Sequence, residues 1–367
     1  MRVSLVRQRV FAHAGRMPYR PFRPARQLSP ALGALARIET TSAVLPPPRY
    51  GLLREGARRV RRVGAAEVGI PDDGAPLTRR PMVARVAADH VVLAKMSTAE
   101  ELRFRAFYLR GSVPMTLKAA REIEDVASRI QRELTARQAL PKLRRLRVPR
   151  ILDHGDAGRL EYLVEELIPG RVLAPTDRPA HLDDVLSGLT EMYEATAAPP
   201  ATIGLASSAA WDRAVAFIDS AKWARGWLPR RQLLGELTAL VEADPPMATA
   251  MGHGDLVWSN ILVGTDGVGL VDWEWAGPRP IAQDMVKLMT SIPGRFSYLP
   301  RLDQLSRDLG VDTPFAAQWA LATVKSLASA AHRLRTATAA GRGDIQSGRA
   351  RQQIGILGQL LQSAEPV

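Results

Sequence analysis

The stretch 251–289, MGHGDLVWSNILVGTDGVGLVDWEWAGPRPIAQDMVKLM, holds the residues best suited to chemistry. Asp255 is followed by Asn260, and Asp272 closes the apolar run VGLVD. Residues 261–263 and 268–271 flank the polar turn Thr265-Asp266-Gly267, the pattern of a β-hairpin. A hairpin brings the residue before its first strand close to the residue ending its second, so Asn260 and Asp272 are expected neighbours. One carboxylate and one amide oxygen make a hard-oxygen pair suited to Mg2+, which takes one or two carboxylates and completes its shell with water and phosphate. Asp255 stands off from that pair. A carboxylate there can take the proton that an acceptor alcohol loses as it attacks a phosphoryl group.

The rest of the chain must position these groups. HVVLAKM (90–96), RFRAFYL (103–109) and VPMTLKAA (113–120) read as strands, rich in β-branched and aromatic residues. Residues 121–140 have helical periodicity, with Ile123, Val126, Ile130 and Leu134 on one face. LRVPRILDHG follows as strand and turn, and LEYLVEELIPG (160–170) as a strand ending at Pro169-Gly170. Residues 175–250 are mostly helical, 251–275 return to short strands and turns, and 281–365 are helical again. The expected class is α+β. A small N-terminal antiparallel sheet lobe with one helix (49–168) precedes a larger, mainly helical C-terminal lobe (169–367), and residues 1–48 form a basic Arg/Pro-rich arm read as disordered.

Composition bounds the function. With 367 residues, 46% hydrophobic and 24% charged, the chain has ample material for a core, and wholesale disorder is excluded. Zero cysteine excludes disulfides, thiolate metal sites and Cys nucleophiles, and fits a cytoplasmic location. No apolar run of about 18 residues is present to span a membrane. The net charge of +13 invites a nucleic-acid partner, but eight arginines fall within residues 1–37, ahead of the first acid, Glu39. Without them the balance is 42 basic against 37 acidic residues, or +5, ordinary for an enzyme. The arm lacks the apolar core of a signal peptide; a transit peptide, an over-long start with Met17 as the first residue, and an arm packed on the body are its alternatives.

His253-Gly254-Asp255-Leu256, Asn260-Ile261-Leu262, Val271-Asp272-Trp273-Glu274 and Asp284-Met285, in this order and spacing, resemble the aminoglycoside phosphotransferase/choline kinase family. The resemblance implies a protein-kinase-like fold and a small-molecule kinase that uses ATP or GTP with Mg2+. It makes Asp255 the catalytic base and Asn260 and Asp272 the metal ligands. His253 would brace the loop, and Glu274 and Asp284 would hold it and the following helix.

The same resemblance calls for a phosphate-binding lysine on the third strand and a glutamate on the next helix. Lys118 and Glu133, fifteen residues apart, fit that pair. Lys95 competes for the lysine role, and Glu122 and Glu124 for the glutamate. No G-x-G-x-x-G is present. The turn containing Ser97 and Thr98 is the candidate to cover the phosphates, and Glu166, Leu167 and Ile168 would face the base through backbone groups. The partner is a small-molecule hydroxyl acceptor. Asp183, Asp184, Glu191 and Glu194 could receive a cation, whereas Arg333, Arg335, Arg342, Arg349 and Arg351 point to a sugar-like or other neutral or anionic acceptor if they line the cleft. A catalytically degenerate nucleotide-binding or scaffold protein is the alternative on the same fold.

Overall fold

The computed structural model describes residues 28–45, 82–85, 90–96, 102–110, 113–121, 128–220, 230–339 and 343–363. These fall into two compact units, one drawn from 1–137, 147–173 and 259–274, the other from 138–146, 174–258 and 275–367. The first unit therefore gathers its residues from three separate stretches of sequence.

Its centre is an antiparallel sheet. It opens with β1 (Met82–Arg85), β2 (His90–Met96), β3 (Leu102–Arg110) and β4 (Val113–Arg121). After the two-residue β5 (Leu146–Arg147), strands β6 (Ile151–Asp156) and β7 (Leu160–Glu166) complete it, in the order β1-β2-β3-β4-β7-β6. Side chains alternate between faces along a strand. On one face Ala106, Met115, Leu117, Ala119, Leu160 and Val164 form a core with Ala34, Leu35 and Ile38 of helix α1 (Leu28–Thr41). On the other, Leu163 packs against Ile130 and Leu134 of helix α2 (Arg129–Gln138). Lys118 and Glu165, between the apolar positions of their strands, belong to this second face.

Three expectations change here. Disorder over 1–48 does not hold for residues 28–45. Ala34, Leu35 and Ile38 recur at helical spacing and are wholly buried, and the Ser42 hydroxyl donates to Asp153. Of the helix expected over 121–140, Arg121 belongs to β4 and residues 122–127, with Ile123 and Val126, lie outside the described residues; Ser128 caps the helix that begins at Arg129, its hydroxyl accepting Gln131 N–H at 3.1 Å. Strand β1 is an addition to the expected strands, and it makes β4, which carries Lys118, the fourth strand among the described residues. Of the competing residues, Lys95 lies on β2 opposite Arg103, while Glu122 and Glu124 lie outside the described residues.

The same unit contains the hairpin of β10 (Ile261–Gly264) and β11 (Gly267–Leu270), paired Ile261↔Leu270 to Gly264↔Gly267. Gly267 turns at φ 97°, a conformation open to glycine. The connector after β7 lies on this hairpin: Arg171 exchanges backbone hydrogen bonds with Val263 at 2.9 and 3.0 Å. Ile168 packs against Leu262 and Val271.

The second unit is mainly helical. Helices α3 (Arg178–Ala195), α4 (Ala209–Ser220), α5 (Arg230–Ala243), α6 (Ala282–Met289), α7 (Leu299–Asp308), α8 (Phe315–Leu327), α9 (Ala330–Ala339) and α10 (Gly343–Ser363) accompany a small antiparallel sheet. That sheet places β9 (Met247–Gly252) between β8 (Ala198–Ala201) and β12 (Gly277–Pro280). Helix α8 is apolar on nearly every side and is a core helix. Its one buried amide, Gln318, accepts Ala248 N–H at 2.9 Å and donates to Ser306 Oγ at 2.6 Å and Thr313 O at 2.8 Å. This ties β9, and the loop that follows it, to the core.

Candidate functional site

In the first unit the buried polar face of the sheet carries a cluster of three cations and three carboxylates. Lys118 Nζ lies 2.6 Å from Glu133 Oε1, 3.2 Å from Glu165 Oε1 and 3.9 Å from Asp272 Oδ1. Arg137 approaches Glu133 at 3.3 Å and Glu165 at 2.7 Å. Arg105 donates to Asp272 Oδ1 at 2.6 Å. Fully desolvated ions are tolerable only when paired and hydrogen-bonded, and here the two signs balance.

The protonation balance of this cluster follows from burial and neighbours. Burial pushes the Glu133 carboxyl up; Lys118 and Arg137 pull against it, Glu165 and Asp272 push with it, and the net shift is upward. For Arg105, burial alone lowers the pKa, but Asp272, Glu165 and Glu133 outweigh it, so the guanidinium is held charged more firmly than usual.

Asp272 follows β11 in a left-handed conformation, φ 76°. Such a φ is uncommon outside glycine, though Asp and Asn tolerate it best, and it turns the carboxylate sharply away from the strand line. Asn260 precedes β10, and its carbonyl accepts Val271 N–H at 3.0 Å. The hairpin ladder is thus extended by one pair, and Asp272 is the next residue along. Asn260 is buried, and the Asp272 side chain is 21% exposed. Among the described residues no three His, Asp or Glu side chains gather as a metal cage. A carboxylate and an amide oxygen are donors that suit a cation that keeps waters and takes phosphate oxygens, as Mg2+ does.

In the second unit, β9 runs directly into His253-Gly254-Asp255. The loop is held from helix α6: Asp284 accepts His253 N–H at 2.7 Å and Gly254 N–H at 2.9 Å, and it also receives the Tyr193 hydroxyl at 3.1 Å. Burial, the Asp284 charge and this hydrogen bond together hold the Tyr193 phenol well above its ordinary pKa, so it stays a donor. His253 is fully buried, and its Nδ1 accepts Asp255 N–H at 3.3 Å. Lys287 donates to Asp255 Oδ1 at 2.9 Å and to Gly254 O at 2.7 Å. Gly254 has φ 75°, and a Cβ there would collide with the Trp275 carbonyl and the Arg279 guanidinium.

Of the residues singled out in sequence, the structure brings Lys118, Glu133 and Asp272 into one ionic cluster and sets Asn260 at the base of the same hairpin. Asp255 lies on the braced loop of the second unit. Glu166 ends β7, its N–H donating to Arg150 O at 2.9 Å, and Leu167 and Ile168 are buried. Ser97 and Thr98 lie outside the described residues. Trp273 is wholly buried with its indole N–H on Leu270 O at 3.0 Å, a packing residue; Trp275 is 40% exposed. Glu274 pairs with Arg129 at 3.4 Å.

Sequence reasoning missed Arg105, Arg137, Glu165 and Lys287. Arg137 carried a usable signal, lying four residues after Glu133 on one helix face. Arg105 and Glu165 were readable only from strand pairing, which sets them opposite Lys118 and Thr116, respectively.

The chain matches the model of the phosphotransferase enzyme family, APH, over residues 98–319. That is more than half of its length, and the chain belongs to this family. The family is one of phosphotransferases. Among solved structures it is similar to a thermostable mutant of aminoglycoside phosphotransferase APH(4)-Ia in ternary complex with AMP-PNP and hygromycin B. Identity there is 15% over 73% of this chain and 93% of that one, with a TM-score of 0.46. It is also similar to a choline/ethanolamine kinase family protein from Mesorhizobium loti (15%, 73% and 92%, TM-score 0.42). A third is the amicoumacin kinase hAmiN in complex with AMP-PNP, Ca2+ and Ami (15%, 71% and 86%, TM-score 0.43). No curated protein sequence matches the chain. Among the described residues, no helix is long and apolar enough to cross a membrane.

Proposed function

We propose that this phosphotransferase moves the γ-phosphoryl of ATP or GTP to a hydroxyl of a small molecule, with Mg2+, in the cytoplasm where these nucleotides are held. The observation that carries the reading is the ammonium of Lys118, set 2.6 Å from Glu133 and 3.9 Å from Asp272. Two motifs more than a hundred residues apart in sequence supply those two carboxylates. Phosphoryl transfer needs little covalent chemistry from a protein and much positioning of charge.

Lys118 binds the α- and β-phosphates, and Glu133 fixes the direction of its ammonium. Asn260 and Asp272 hold Mg2+, which when bound neutralises charge on the phosphoryl oxygens. Asp255 accepts the proton of the acceptor hydroxyl. Glu166, Leu167 and Ile168 border the base, and the Ser97–Thr98 turn covers the phosphates. In this reading residues 49–168 are the nucleotide lobe and 169–367 the catalytic and acceptor lobe of a protein-kinase-like fold. The acceptor in this reading is a sugar-like or other neutral or anionic small molecule.

Thermal shift with ATP and with GTP, with and without Mg2+, tests the site on wild type and Asp272→Ala. Ligand at about 100 times its Kd stabilises a folded protein by about 2.7 kcal/mol. A Mg2+-dependent shift absent from the variant is expected. Absence of any shift with either nucleotide would sink the reading.

A further inference from the structure

The Lys118 ammonium has a second cation beside it. Arg105 on β3 is the direct cross-strand partner of Lys118 on β4. Residues directly opposite on antiparallel strands project from the same face with their Cβ atoms about 5 Å apart. Arg105 reaches along that face to the Asp272 carboxylate at 2.6 Å and takes the same oxygen, Oδ1, that Lys118 approaches at 3.9 Å. Resting on the nucleotide-site reading above, we propose that Arg105 is a second phosphate ligand that competes with the metal for Asp272, so that metal and nucleotide bind as a coupled pair.

The chemistry follows from the number of partners available. A guanidinium stays charged in proteins, so Arg105 cannot leave Asp272 by losing its proton. The Arg105 side chain is only 20% exposed, so another anion is the best replacement for the carboxylate it gives up. A nucleotide polyphosphate at Lys118 supplies such an anion within reach of the same strand pair, and a planar fork of donors suits phosphate oxygens. Arg105 therefore exchanges Asp272 for phosphate. Metal alone meets an occupied carboxylate oxygen, and nucleotide alone leaves Arg105 divided between two anions. Each ligand thereby strengthens the other, as linkage requires.

Two titrations of the full chain test this, on wild type, Arg105→Gln and Arg105→Lys. Mn2+ alone is followed through the loss of its free-ion EPR signal. Fluorescent non-hydrolysable analogues of ATP and GTP are titrated in the presence of Mg2+. Arg105→Gln is expected to bind Mn2+ alone roughly tenfold more tightly than wild type and the nucleotide roughly tenfold more weakly, the scale of one charge-assisted hydrogen bond. Arg105→Lys keeps the charge, loses the fork and falls between them. If both variants bind Mn2+ and nucleotide as wild type does, Arg105 is a structural ion pair, and the proposal is overturned while the nucleotide site stands. If folded wild type binds neither analogue, the site reading and the proposal fall together. Should Arg105→Gln not fold by circular dichroism, Arg105→Lys decides: tighter Mn2+ with weaker nucleotide supports the proposal, and unchanged affinities overturn it.

Discussion

Asp284 lies 2.7 Å from the backbone nitrogen of His253, thirty-one residues earlier, and fixes the loop that carries Asp255. With Gly254 N–H and the Tyr193 hydroxyl it receives three hydrogen bonds while fully buried. Asp284→Ala orphans two buried donors, each costing about 1–3 kcal/mol, and the half-buried Gly254 N–H. Tyr193→Phe removes one bond, for about 1 kcal/mol. Urea unfolding should rank them in that order, and equal midpoints for the two variants would contradict this account.

Gly254→Ala should cost more than its single methyl suggests. The left-handed backbone disfavours any Cβ, and the nearest obstacle is a backbone carbonyl. A lower melting temperature and lost turnover are expected. A fully active variant would show that the loop can move away from Trp275.

Asp255→Asn separates binding from chemistry. Loss of a positioned general base lowers turnover by about 10²–10⁴-fold. Nucleotide affinity, measured by titration, should stay as in wild type, because Asp255 is assigned to the acceptor hydroxyl.

The ionic cluster predicts strong non-additivity. Lys118→Met leaves Glu133 and Glu165 short of a cation, and breaking a buried pair from one side costs about 3–5 kcal/mol. Lys118→Met combined with Glu133→Leu should be less destabilised than the sum of the two single variants, as for any directly interacting pair. Chemical denaturation of the double-mutant cycle measures the difference.

Glu191 on α3 gives a pH-dependent prediction. It accepts Arg144 and Arg145 N–H groups at 2.7 Å each, and these bonds hold its carboxyl below the usual range. A depressed carboxyl contributes stability above the unfolded-state pKa, about 4.3 for Glu, and loses it as pH falls through the folded value. The group is mostly solvated, so the contribution stays under about 1 kcal/mol. Glu191→Gln should be less stable than wild type at pH 7, and the gap should close well below pH 4.

What was legible in the sequence follows a physical line. The hairpin around Asp266 and the order of Asn260 and Asp272 are local, set by turn residues and alternation. Lys118 and Glu133 were singled out through the family resemblance, which their fifteen-residue separation on a strand and the next helix fits. Arg105 and Glu165 gained meaning only through strand register, which connects residues distant in sequence. The start of α2 turned on one capping hydroxyl at Ser128, which helical periodicity cannot detect. Helix α1 was masked by its surroundings: three apolar positions inside an Arg- and Pro-rich stretch look like part of an unstructured tail until the sheet face that they cover is known.

That cover changes what a truncation can report. The natural test of a basic arm is to delete residues 1–45 and ask whether polyanion binding disappears. The deletion also strips α1 from Ala106, Met115, Leu117 and Ala119, leaving a greasy sheet face in water. Such a shortened chain would self-associate, and lost binding would say nothing about charge. Arginine-to-glutamine exchange confined to Arg2, Arg7, Arg9, Arg16, Arg20, Arg23 and Arg26 removes the charge and leaves the lid on the sheet.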